Sequence, residues 1–427
     1  MGRRFFLRSV VLADAISLLA AILLATFRVF DVWMPWLAVT SSGSLMPSVV
    51  LMIAGGAVSS YVSYLAWGQS VPRPSYGRAF GIVASTMAIT AVGLVISRAY
   101  WSREWLLTAA TVWFALALAH RFIQRRRPWA EQMVVITSEK VLADDLGSAP
   151  HSDVIAIVDP LGEPTDVPLI DGASLVVDLR EVLSEDMARY VSSASVSGQR
   201  VRTLVDVYEE HTGRIPLVHI IGGWEVSRPV RRSGYAPVKR MLDVVLVVVT
   251  APLWLALWGV VYVVVKMDSR GNAMYRQQRV GRHGELFTLT KFRTMVHDAE
   301  SDGPRFAAEN DPRITRVGKF LRKSRLDEIP QLWNVLLGDL AVVGPRPERT
   351  VFVEQFSKEI PFYDSRHLVR PGVTGWAQVH YGYADDQAEA VEKLTYDLYY
   401  IKHSSFWLDI QIMGKSVWTV LTGDGAR

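Results

Sequence analysis

Four long apolar stretches dominate the first 127 residues of this chain and constrain its fold more than any other feature. They cover residues 9–27, 45–67, 80–97 and 105–123. Each is close to the ~20 residues that an α-helix needs to cross the ~30 Å hydrocarbon core of a bilayer. The first stretch contains Asp14 and lacks a clear small-residue cleavage site, so it does not read as a signal peptide. The sequence therefore predicts four transmembrane helices within residues 1–127.

The positive charges of this part are all arginines, because the first lysine of the chain is Lys140. They cluster before the first stretch, between the second and third, and after the fourth, whereas the other two loops are nearly neutral. Basic residues at span ends favour the cytoplasmic side, and this position favours a topological role over a nucleic-acid patch. We therefore expect the N-terminus and everything after residue 127 to be cytoplasmic. The arginines concerned are Arg3, Arg4, Arg8, Arg73, Arg78, Arg121, Arg125, Arg126 and Arg127.

Asp14 is an acidic residue inside an apolar stretch, which by default marks a functional site in a membrane protein. It lies soon after Arg8, however, near the cytoplasmic end of the predicted span. We therefore predict that Asp14 pairs with an arginine or with another span.

The composition excludes several classes of protein. Half of the residues are hydrophobic and the mean hydropathy is +0.18, which argues against a disordered chain and against an ordinary soluble enzyme. The absence of cysteine excludes disulfide scaffolds, cysteine-ligated zinc, iron–sulfur clusters and a cysteine nucleophile. A formal net charge of +4 is too small to argue for nucleic-acid binding.

Short β-branched runs begin at Met133 and alternate with polar segments that are compatible with helices. The runs are MVVIT, VIAIVD, LVVDL and VRTLVDV, a pattern typical of an α/β domain with a parallel sheet. The first run is followed by residues 137–140 (TSEK), without the glycines that a bound dinucleotide requires. We therefore predict a Rossmann-like domain without a dinucleotide motif, with a regulatory or dimerising role.

A fifth apolar block, residues 239–266, follows a basic linker at residues 229–237. It is long enough to span a bilayer, but Pro252 lies at its midpoint, where it would break the helix. Each arm would then be about 16–20 Å long, which reaches about one leaflet. Basic residues also flank both ends. We therefore predict a re-entrant membrane helix that enters and leaves on the cytoplasmic face, with a proline-kinked span as the alternative.

Two adjacent carboxylates, Asp327 and Glu328, lie in the basic stretch that follows. Ser324 resembles a helix N-cap, and Pro330 fits a helix start. We therefore expect the pair near a helix N-terminus, where the helix dipole would keep it ionised. An ionised carboxylate serves as a nucleophile or as a Mg²⁺ ligand, whereas a solvated helix cap is the alternative.

Two rigid turns downstream carry one arginine each. The first is residues 344–347 (GPRP), which contains Arg346, and the second is residues 370–375 (RPGVTG), which begins with Arg370. A guanidinium on a stiff backbone is suited to bidentate phosphate recognition. The turns therefore indicate a phosphate-binding function.

Six motifs follow one another in the last part of the chain. They are KRMLD, KFRTM, DPRITRVGKFLRKSRLDEIPQLWNVL, GDLAVVGPRP, RPGVTGWAQV and YDLYYIKHSSFWLDI. In this order they resemble the bacterial sugar transferases, the monotopic phosphoglycosyl transferases, over about residues 235–425. The preceding spans and α/β domain resemble the long form of that family, the polyprenyl glycosylphosphotransferases that initiate exopolysaccharide, capsule or O-antigen assembly.

The resemblance implies a membrane protein with α and α/β parts. Its domains would be four transmembrane helices (1–127), a degenerate Rossmann-like α/β domain (128–228) and a catalytic domain (229–427) with a re-entrant membrane helix and interfacial amphipathic helices. It implies that the protein is located in the bacterial inner membrane, with the catalytic domain on the cytoplasmic side. The aromatic stretch at residues 394–421 suits an interfacial helix, with core packing as the alternative. The family's membrane break is commonly Ser-Pro, whereas this chain has Ala251-Pro252 and lacks the serine hydroxyl.

The resemblance also implies a reaction. A sugar-1-phosphate would pass from a UDP-sugar to undecaprenyl phosphate, with Mg²⁺ and release of UMP, as the first membrane step of surface polysaccharide assembly. Asp327 would be the nucleophile of a two-step ping-pong route through a phosphosugar-aspartate. Glu328 would be its acidic partner, which holds Mg²⁺ or assists the acceptor phosphate, so the pair also supplies the candidate metal ligands. Asp397 is expected to brace a site arginine.

Several basic residues are candidate substrate contacts, with structural ion pairing as the alternative for the weaker ones. They are Arg346 first, then Arg325, Arg316, Lys291, Arg293 and Arg370.

Two other functions stay open at this point, a membrane glycosyltransferase that releases UDP and an inactive membrane scaffold of a polysaccharide assembly complex. No residue identifies the sugar, for which glucose or galactose is the family-level expectation. Expected partners are a UDP-sugar, undecaprenyl phosphate, membrane lipid and downstream glycosyltransferases, without nucleic acid. The long form also suggests a homodimer.

Overall fold

The computed structural model describes residues 3–40, 43–65, 76–98, 102–126, 130–168, 170, 172–217, 220, 235–296, 311–381 and 387–422. The chain mixes helices with short sheets and divides into two compact units. The first comprises Met1–Ser138, Pro150–Val176 and Leu183–Arg202, and the second Glu139–Ala149, Val177–Val182 and Thr203–Arg427. The predicted three-domain division stays a prediction. The side chains of Arg3, Arg4 and Arg8, residues Arg73 and Arg127 and the linker at residues 229–234 lie outside the described part.

Four helices of the first unit occupy the four predicted apolar stretches. They are α1 (Arg3–Phe30), α2 (Met46–Leu65), α3 (Tyr76–Ser97) and α4 (Arg103–Arg125), with a hairpin of β1 (Val39–Thr40) and β2 (Gly43–Ser44) between α1 and α2. The helix α1 packs on α4, and α2 packs on α3. Their common core includes Ala21, Ala25 and Met52. Small residues at the contacts let the helices approach closely, as in membrane helix packing in general.

Asp14 on α1 pairs with Arg121 on α4, which confirms the predicted arginine partner. The two terminal nitrogens of Arg121 donate to the two carboxylate oxygens of Asp14 over 2.6 and 2.7 Å. Both side chains are buried, and Trp113 donates its indole N–H to the Asp14 carbonyl oxygen. Bidentate pairing offsets much of the desolvation cost of the two charges, so this contact gives Asp14 a structural role.

The predicted α/β segment forms a four-stranded sheet. Its strands are β3 (Glu131–Ile136), β4 (Ser152–Val158), β5 (Ser174–Val177) and β6 (Val201–Thr203), in the order β4-β3-β5-β6, with β3 and β4 parallel. The helices of this segment are α5 (Lys140–Ser148), α6 (Glu185–Val196) and α7 (Leu204–Thr212). Runs of Val, Ile and Leu fill the central strands because both faces of β3 and β5 are largely buried.

The second unit carries the motifs of the sugar transferase resemblance. Its remaining elements are α8 (Tyr235–Val249), α9 (Ala251–Asp268), β7 (Met274–Val280), β8 (Leu286–Phe292), α10 (Arg316–Lys323), α11 (Gln331–Leu337), β9 (Ala341–Val343), α12 (Thr350–Glu359), β10 (Gly372–Thr374), α13 (Trp376–His380), α14 (Gln387–His403) and α15 (Phe406–Thr422). The strands β7 and β8 form an antiparallel hairpin, and β9 pairs with β10 in parallel.

The apolar block at residues 239–266 is interrupted near its midpoint, where Thr250 separates α8 from α9. Pro252 lies in the first turn of α9, a position that proline tolerates because the N–H there has no partner within the helix. Ala251 has no hydroxyl, but two other side chains donate hydrogen bonds to carbonyl oxygens at the break. Thr250 donates its hydroxyl to the Leu246 carbonyl oxygen over 2.7 Å, and Trp254 donates its indole N–H to that of Val247 over 2.9 Å. The break is therefore stabilised without a serine at Ala251.

Within the described residues, five helices are long and apolar enough to cross a membrane. They are Val10–Leu37, Met46–Ser63, Tyr76–Ser97, Arg103–Arg125 and Ala251–Asp268. The chain is thus a membrane-associated protein with α and α/β parts. The number of helices that span, and the re-entrant path of α8 and α9, stay predictions.

The stretch at residues 394–421, predicted as an interfacial helix, forms two helices with different surroundings. In α14, Leu394 and Tyr400 are buried, which favours the alternative of core packing for this half. In α15, by contrast, Trp407 and Trp418 are exposed, as an interfacial helix requires. Only the second half therefore has the predicted character.

The segment around α7 packs onto α14 within the second unit. Glu209 is buried and accepts from Lys402 and His403 over 2.6 and 2.8 Å. Arg214 donates to both carboxylate oxygens of Asp145 and also contacts the Glu392 carboxylate. These ion pairs tie the segment to the helix that carries the YDLYY motif.

Candidate active site

The adjacent carboxylates Asp327 and Glu328 lie on a single 3₁₀ turn between α10 and α11. The prediction of a helix N-cap at Ser324 is wrong, because Ser324 ends α10 and its hydroxyl donates to the carbonyl oxygen four residues earlier. Arg325 follows with a φ of +56°, a left-handed conformation that terminates the helix. Pro330 then precedes the first residue of α11, as expected for a helix start. The carboxylates thus lie in the short connection between two helices.

Both carboxylates are buried, with 7% and 8% of their surfaces exposed, so the alternative of a solvated cap is wrong. Burial and the charge of Glu328 raise the pKa of Asp327 to about 6. Burial would also raise the pKa of Glu328, but Arg346 and Arg325 outweigh it and hold that pKa below its usual range. Glu328 is therefore ionised by its arginines, and Asp327 is the first of the two to gain a proton as the pH falls.

Glu328 meets two of the predicted site arginines. Both terminal nitrogens of Arg346 lie 3.2 Å from Oε1 of Glu328. Arg325, on the same turn as Glu328, approaches this oxygen to 3.5 Å. The structure thus brings Arg346 of the GPRP turn to the acidic pair, across 18 residues of sequence.

Asp327 has a different environment. Its Oδ1 atom is buried and has no hydrogen-bond partner among the described residues. Lys291 on β8 lies within electrostatic range, and burial lowers the pKa of its ammonium to about 8, although the charge of Asp327 opposes this. Among the described residues this ammonium makes no hydrogen bond or ion pair, and it lies 5.2 Å from the ring centre of Tyr275. Within the described residues, the carboxylate with an unpartnered Oδ1 and the Lys291 ammonium thus interact electrostatically, an arrangement that suits a phosphate substrate.

The two arginine turns lie side by side on the parallel pair β9 and β10. Gly344 donates its N–H to the Thr374 carbonyl oxygen, and Gly372 donates to that of Pro345, both over 2.8 Å. A Cβ atom at Gly344 would lie 2.4 Å from the backbone oxygen of Arg370, and one at Gly372 would lie 2.1 Å from the Gly344 nitrogen. Only glycine permits this approach, so the glycines of both motifs set the position of the turns.

Three predicted substrate contacts do not touch the acidic pair among the described residues. Arg370 donates from Nε to the Gly338 carbonyl oxygen over 3.0 Å, just beyond the end of α11. Arg293 is buried and donates to the carbonyl and hydroxyl oxygens of Ser269, both over 2.8 Å. Arg316 is exposed at the start of α10. Their roles as substrate contacts stay predictions.

Sequence reasoning missed two arginines that contact the GPRP turn, the buried Arg366 and the half-buried Arg279. Arg366 donates to the Arg346 carbonyl oxygen over 3.2 Å and to the Asp397 carboxylate over 2.7 Å. Asp397 thus braces an arginine, as expected, but one that no motif had indicated. Arg279 donates to the Pro347 carbonyl oxygen over 3.1 Å. No sequence motif marks either Arg279 or Arg366.

Arg240 of the KRMLD motif ties α8 to the helix that follows the acidic pair. It donates to the carbonyl oxygens of Val335 and Leu336, over 2.5 and 3.0 Å, at the end of α11. A cation at a helix C-terminus satisfies free carbonyl groups and interacts favourably with the helix dipole. The predicted membrane helix is therefore attached directly to the element behind the carboxylates.

The acidic pair has the chemistry of a partial Mg²⁺ site. Within the part of the chain that the structure describes, no three His, Asp or Glu side chains gather as a metal site. Oδ1 of Asp327 is free, whereas Oε1 of Glu328 faces two guanidinium groups. Mg²⁺ is often bound through one or two carboxylates, with water and substrate phosphates completing its shell. The pair therefore suits an ion that is shared with a phosphate substrate.

Known proteins are similar to this chain in the same region and beyond it. Residues 234–423 match the family described as bacterial sugar transferase. A UDP-N-acetylgalactosamine-undecaprenyl-phosphate N-acetylgalactosaminephosphotransferase of Aeromonas hydrophila is 42% identical over 255 residues, 60% of each chain. A UDP-glucose:undecaprenyl-phosphate glucose-1-phosphate transferase of Xanthomonas campestris pv. campestris is 40% identical over 216 residues, 49% of this chain and 43% of the relative.

A longer match is found with a UDP-galactose-lipid carrier transferase of Erwinia amylovora, which is 30% identical over 375 residues. The chain thus spans less than two thirds of the length of the first two relatives, at 60% and 43%, but 76% of the third. The similarity to the third extends beyond residues 234–423, since it covers 78% of this chain. The chain therefore belongs to the bacterial sugar transferase family.

Proposed function

We propose that this chain transfers sugar-1-phosphate from a UDP-sugar to undecaprenyl phosphate, which gives undecaprenyl-diphosphate-sugar and UMP. The names of its relatives support the general reaction. The observation that carries the proposal is Oδ1 of Asp327, a buried carboxylate oxygen without a hydrogen-bond partner among the described residues. Leaving such an oxygen unpaired costs free energy, and groups of this kind concentrate where chemistry is done.

In the first step, Oδ1 of Asp327 attacks the β-phosphorus of the UDP-sugar. A bond forms between this oxygen and the phosphorus, and the bond from the phosphorus to the bridging oxygen breaks. UMP leaves with that electron pair, and the sugar phosphate stays on Asp327 as an acyl phosphate. A pKa of about 6 keeps the carboxylate ionised at neutral pH, and the ammonium of Lys291, which has no hydrogen bond or ion pair among the described residues, would contact a phosphate oxygen.

In the second step, a terminal oxygen of undecaprenyl phosphate attacks the same phosphorus. The bond from the phosphorus to Asp327 breaks and the carboxylate is restored. A phosphate dianion enters and UMP leaves as a dianion, so the cycle needs no net proton transfer. The two half-reactions share one phosphorus and one carboxylate, which agrees with a site where Oδ1 of Asp327 is buried without a hydrogen-bond partner among the described residues.

Arg346 and Arg325 neutralise Glu328 in the free protein, and both guanidinium groups would also contact the pyrophosphate of the bound donor. Asp327 and Glu328 would hold Mg²⁺ together with the donor pyrophosphate. When bound, the ion would reduce the repulsion between the attacking carboxylate and the phosphate oxygens.

We also propose that this site lies at the cytoplasmic face of the bacterial inner membrane. The arginine distribution supports the orientation, and the apolar helices α1–α4 and α9 support the attachment. Undecaprenyl phosphate could then reach the acidic pair from the bilayer, while the UDP-sugar arrives from the cytoplasm.

The experiment that tests the proposal identifies the nucleotide product. The full chain in nanodiscs is incubated with Mg²⁺, undecaprenyl phosphate and, in turn, UDP-glucose, UDP-galactose and UDP-N-acetylgalactosamine, the sugars in the relatives' names. Lipid-dependent release of UMP supports the proposal. Release of UDP instead would identify a glycosyltransferase, and no turnover of any UDP-sugar would favour the scaffold alternative.

A further inference from the structure

The backbone of the GPRP turn is held through its carbonyl oxygens, because two of its residues are prolines without an N–H. All three carbonyl groups of the Pro-Arg-Pro sequence accept a hydrogen bond. The pairs are Pro345 with the Gly372 N–H (2.8 Å), Arg346 with Arg366 (3.2 Å) and Pro347 with Arg279 (3.1 Å). The position of Arg346 therefore depends on side chains that are remote in sequence.

One of these side chains belongs to a polar face of β7. Tyr275, Gln277 and Arg279 alternate along the strand and are half-buried, whereas Arg276 and Gln278 point the other way and are exposed. The Gln277 oxygen accepts from Nη2 of Arg279 over 2.7 Å, and the Gln277 nitrogen donates to the Tyr275 hydroxyl over 3.1 Å. Gln277 is thus the central member of a hydrogen-bonded row.

Arg279 ends this row beneath the GPRP turn. Its side chain is 13% exposed, and its Nη1 lies 3.1 Å from the Pro347 carbonyl oxygen and 3.8 Å from the Glu348 carboxylate. A guanidinium this deeply buried needs oriented acceptors, since desolvation of its charge is costly. Gln277 supplies the acceptor for Nη2 and so leaves Nη1 directed at Pro347.

We propose that Gln277 is a positioning residue of the active site, which fixes Arg279 under Pro347 and thereby holds the Arg346 guanidinium against Glu328. The catalytic meaning of this contact rests on the proposed function. A misplacement of about 1 Å in such a site lowers the rate by up to about 100-fold. The effect should therefore appear in catalysis when the row is broken, even though Gln277 does not touch the acidic pair.

The first test compares two adjacent glutamines. We expect Gln277→Leu to lower kcat/KM for UMP release about tenfold, and Gln278→Leu, on the exposed face, to leave it within twofold. Gln277→Glu keeps an acceptor for Arg279 and should recover most of the loss, which separates positioning from misfolding. In an Arg346→Ala background, Gln277→Leu should have no further effect. An undiminished loss in that background, or equal effects of the two leucine variants, would overturn the proposal.

A second measurement does not depend on turnover. Hydrogen exchange of the backbone amides at residues 344 and 346–352, excluding proline, should be faster in Gln277→Leu than in the unsubstituted chain and in Gln278→Leu. Unchanged exchange in Gln277→Leu would overturn the positioning role. If no UDP-sugar is turned over at all, the proposed function fails, but this exchange measurement still decides whether Gln277 holds the turn.

Discussion

The Arg346 guanidinium lies against Glu328, with both of its terminal nitrogens 3.2 Å from one carboxylate oxygen. This contact keeps Glu328 ionised despite its burial. The neighbouring Asp327 has an oxygen without a hydrogen-bond partner among the described residues, and its pKa is raised to about 6 by burial and by the charge of Glu328. Two adjacent residues of the same chemical kind thus have different environments, and such a difference commonly separates their roles in catalysis.

Replacement of Asp327 tests the nucleophile directly. We expect Asp327→Asn to lower UMP release by about 10³-fold or more, because an amide cannot form the acyl phosphate. In the unsubstituted chain, incubation with the UDP-sugar alone should leave a sugar-phosphate adduct on Asp327, detectable by mass spectrometry of a rapidly quenched sample. Asp364→Asn, at an exposed aspartate of the same unit, is the control. Transfer at the native rate by Asp327→Asn would rule out this nucleophile.

The pH dependence of the first half-reaction follows from the pKa of Asp327. Since this pKa is raised to about 6, the reactive carboxylate is present above pH 6 and is lost as the pH falls through that value. Single-turnover release of UMP should therefore fall about tenfold per pH unit below pH 6. The measurement omits undecaprenyl phosphate, because the phosphate monoester itself titrates near pH 6.

The charge of Lys291 should affect the pH below which UMP release falls, which is the acid limb of the pH profile. Its positive charge lowers the pKa of Asp327, so Lys291→Met is expected to move the limb to higher pH. Lys323→Met, at an exposed lysine of α10, should not move it. An acid limb near pH 4, or one that Lys291→Met leaves in place, would contradict the assignment.

Trp254 should stabilise the break between α8 and α9. In Trp254→Phe the Val247 carbonyl oxygen loses the indole donor and keeps the Thr250 hydroxyl at 3.4 Å, while the aromatic packing is largely kept. We expect a loss of about 1–3 kcal/mol in stability, seen as a lower Tm in nanodiscs. Trp258→Phe is the matched control on the same helix, because Trp258 stacks on Tyr262 and its ring is retained as an aromatic. Equal Tm values for the two variants would show that the indole hydrogen bond is unimportant.

The re-entrant path predicts that both ends of the interrupted helix face the cytoplasm. The chain has no cysteine, so single cysteines at positions 238 and 268 report without background. Both should react with a membrane-impermeant maleimide in inside-out vesicles and not in spheroplasts. A cysteine at position 36, between the first and second predicted spans, should show the reverse, because the N-terminus before the first span is expected to be cytoplasmic. Labelling of positions 238 and 268 from opposite sides would establish a spanning helix.

Short-range sequence patterns were sufficient to predict several elements of the fold. Continuous apolar runs predicted α1–α4, and the proline at position 252 predicted an interruption of the fifth apolar block. These features depend only on residues close together in the chain, namely the length of an apolar run and the backbone N–H that proline lacks. The helix N-cap at Ser324 failed for a related reason. A serine hydroxyl can accept hydrogen bonds at the start of a helix or donate them at its end. Here the left-handed conformation of Arg325 ends the helix, so Ser324 lies at its C-terminus.

Short-range sequence patterns could not predict which groups the arginines contact. Arg346 and Arg370 lie in similar glycine–proline turns, yet one reaches Glu328 and the other the Gly338 carbonyl oxygen. The pairing of β9 with β10 positions both turns, where two glycine backbones approach too closely for any side chain. Such contacts join residues far apart in the chain, and no spacing in the sequence encodes them.

The sequence by itself determined that the chain has apolar helices of membrane length, an α/β segment without a dinucleotide motif and an adjacent pair of carboxylates among arginines and glycine-rich turns. It also carried the order of motifs that marks the family. Tertiary structure alone decided which carboxylate is neutralised and which keeps a free oxygen. The physical reason is that burial and the field of Arg346, Arg325 and Lys291 act through space, and only folding places those charges around Asp327 and Glu328.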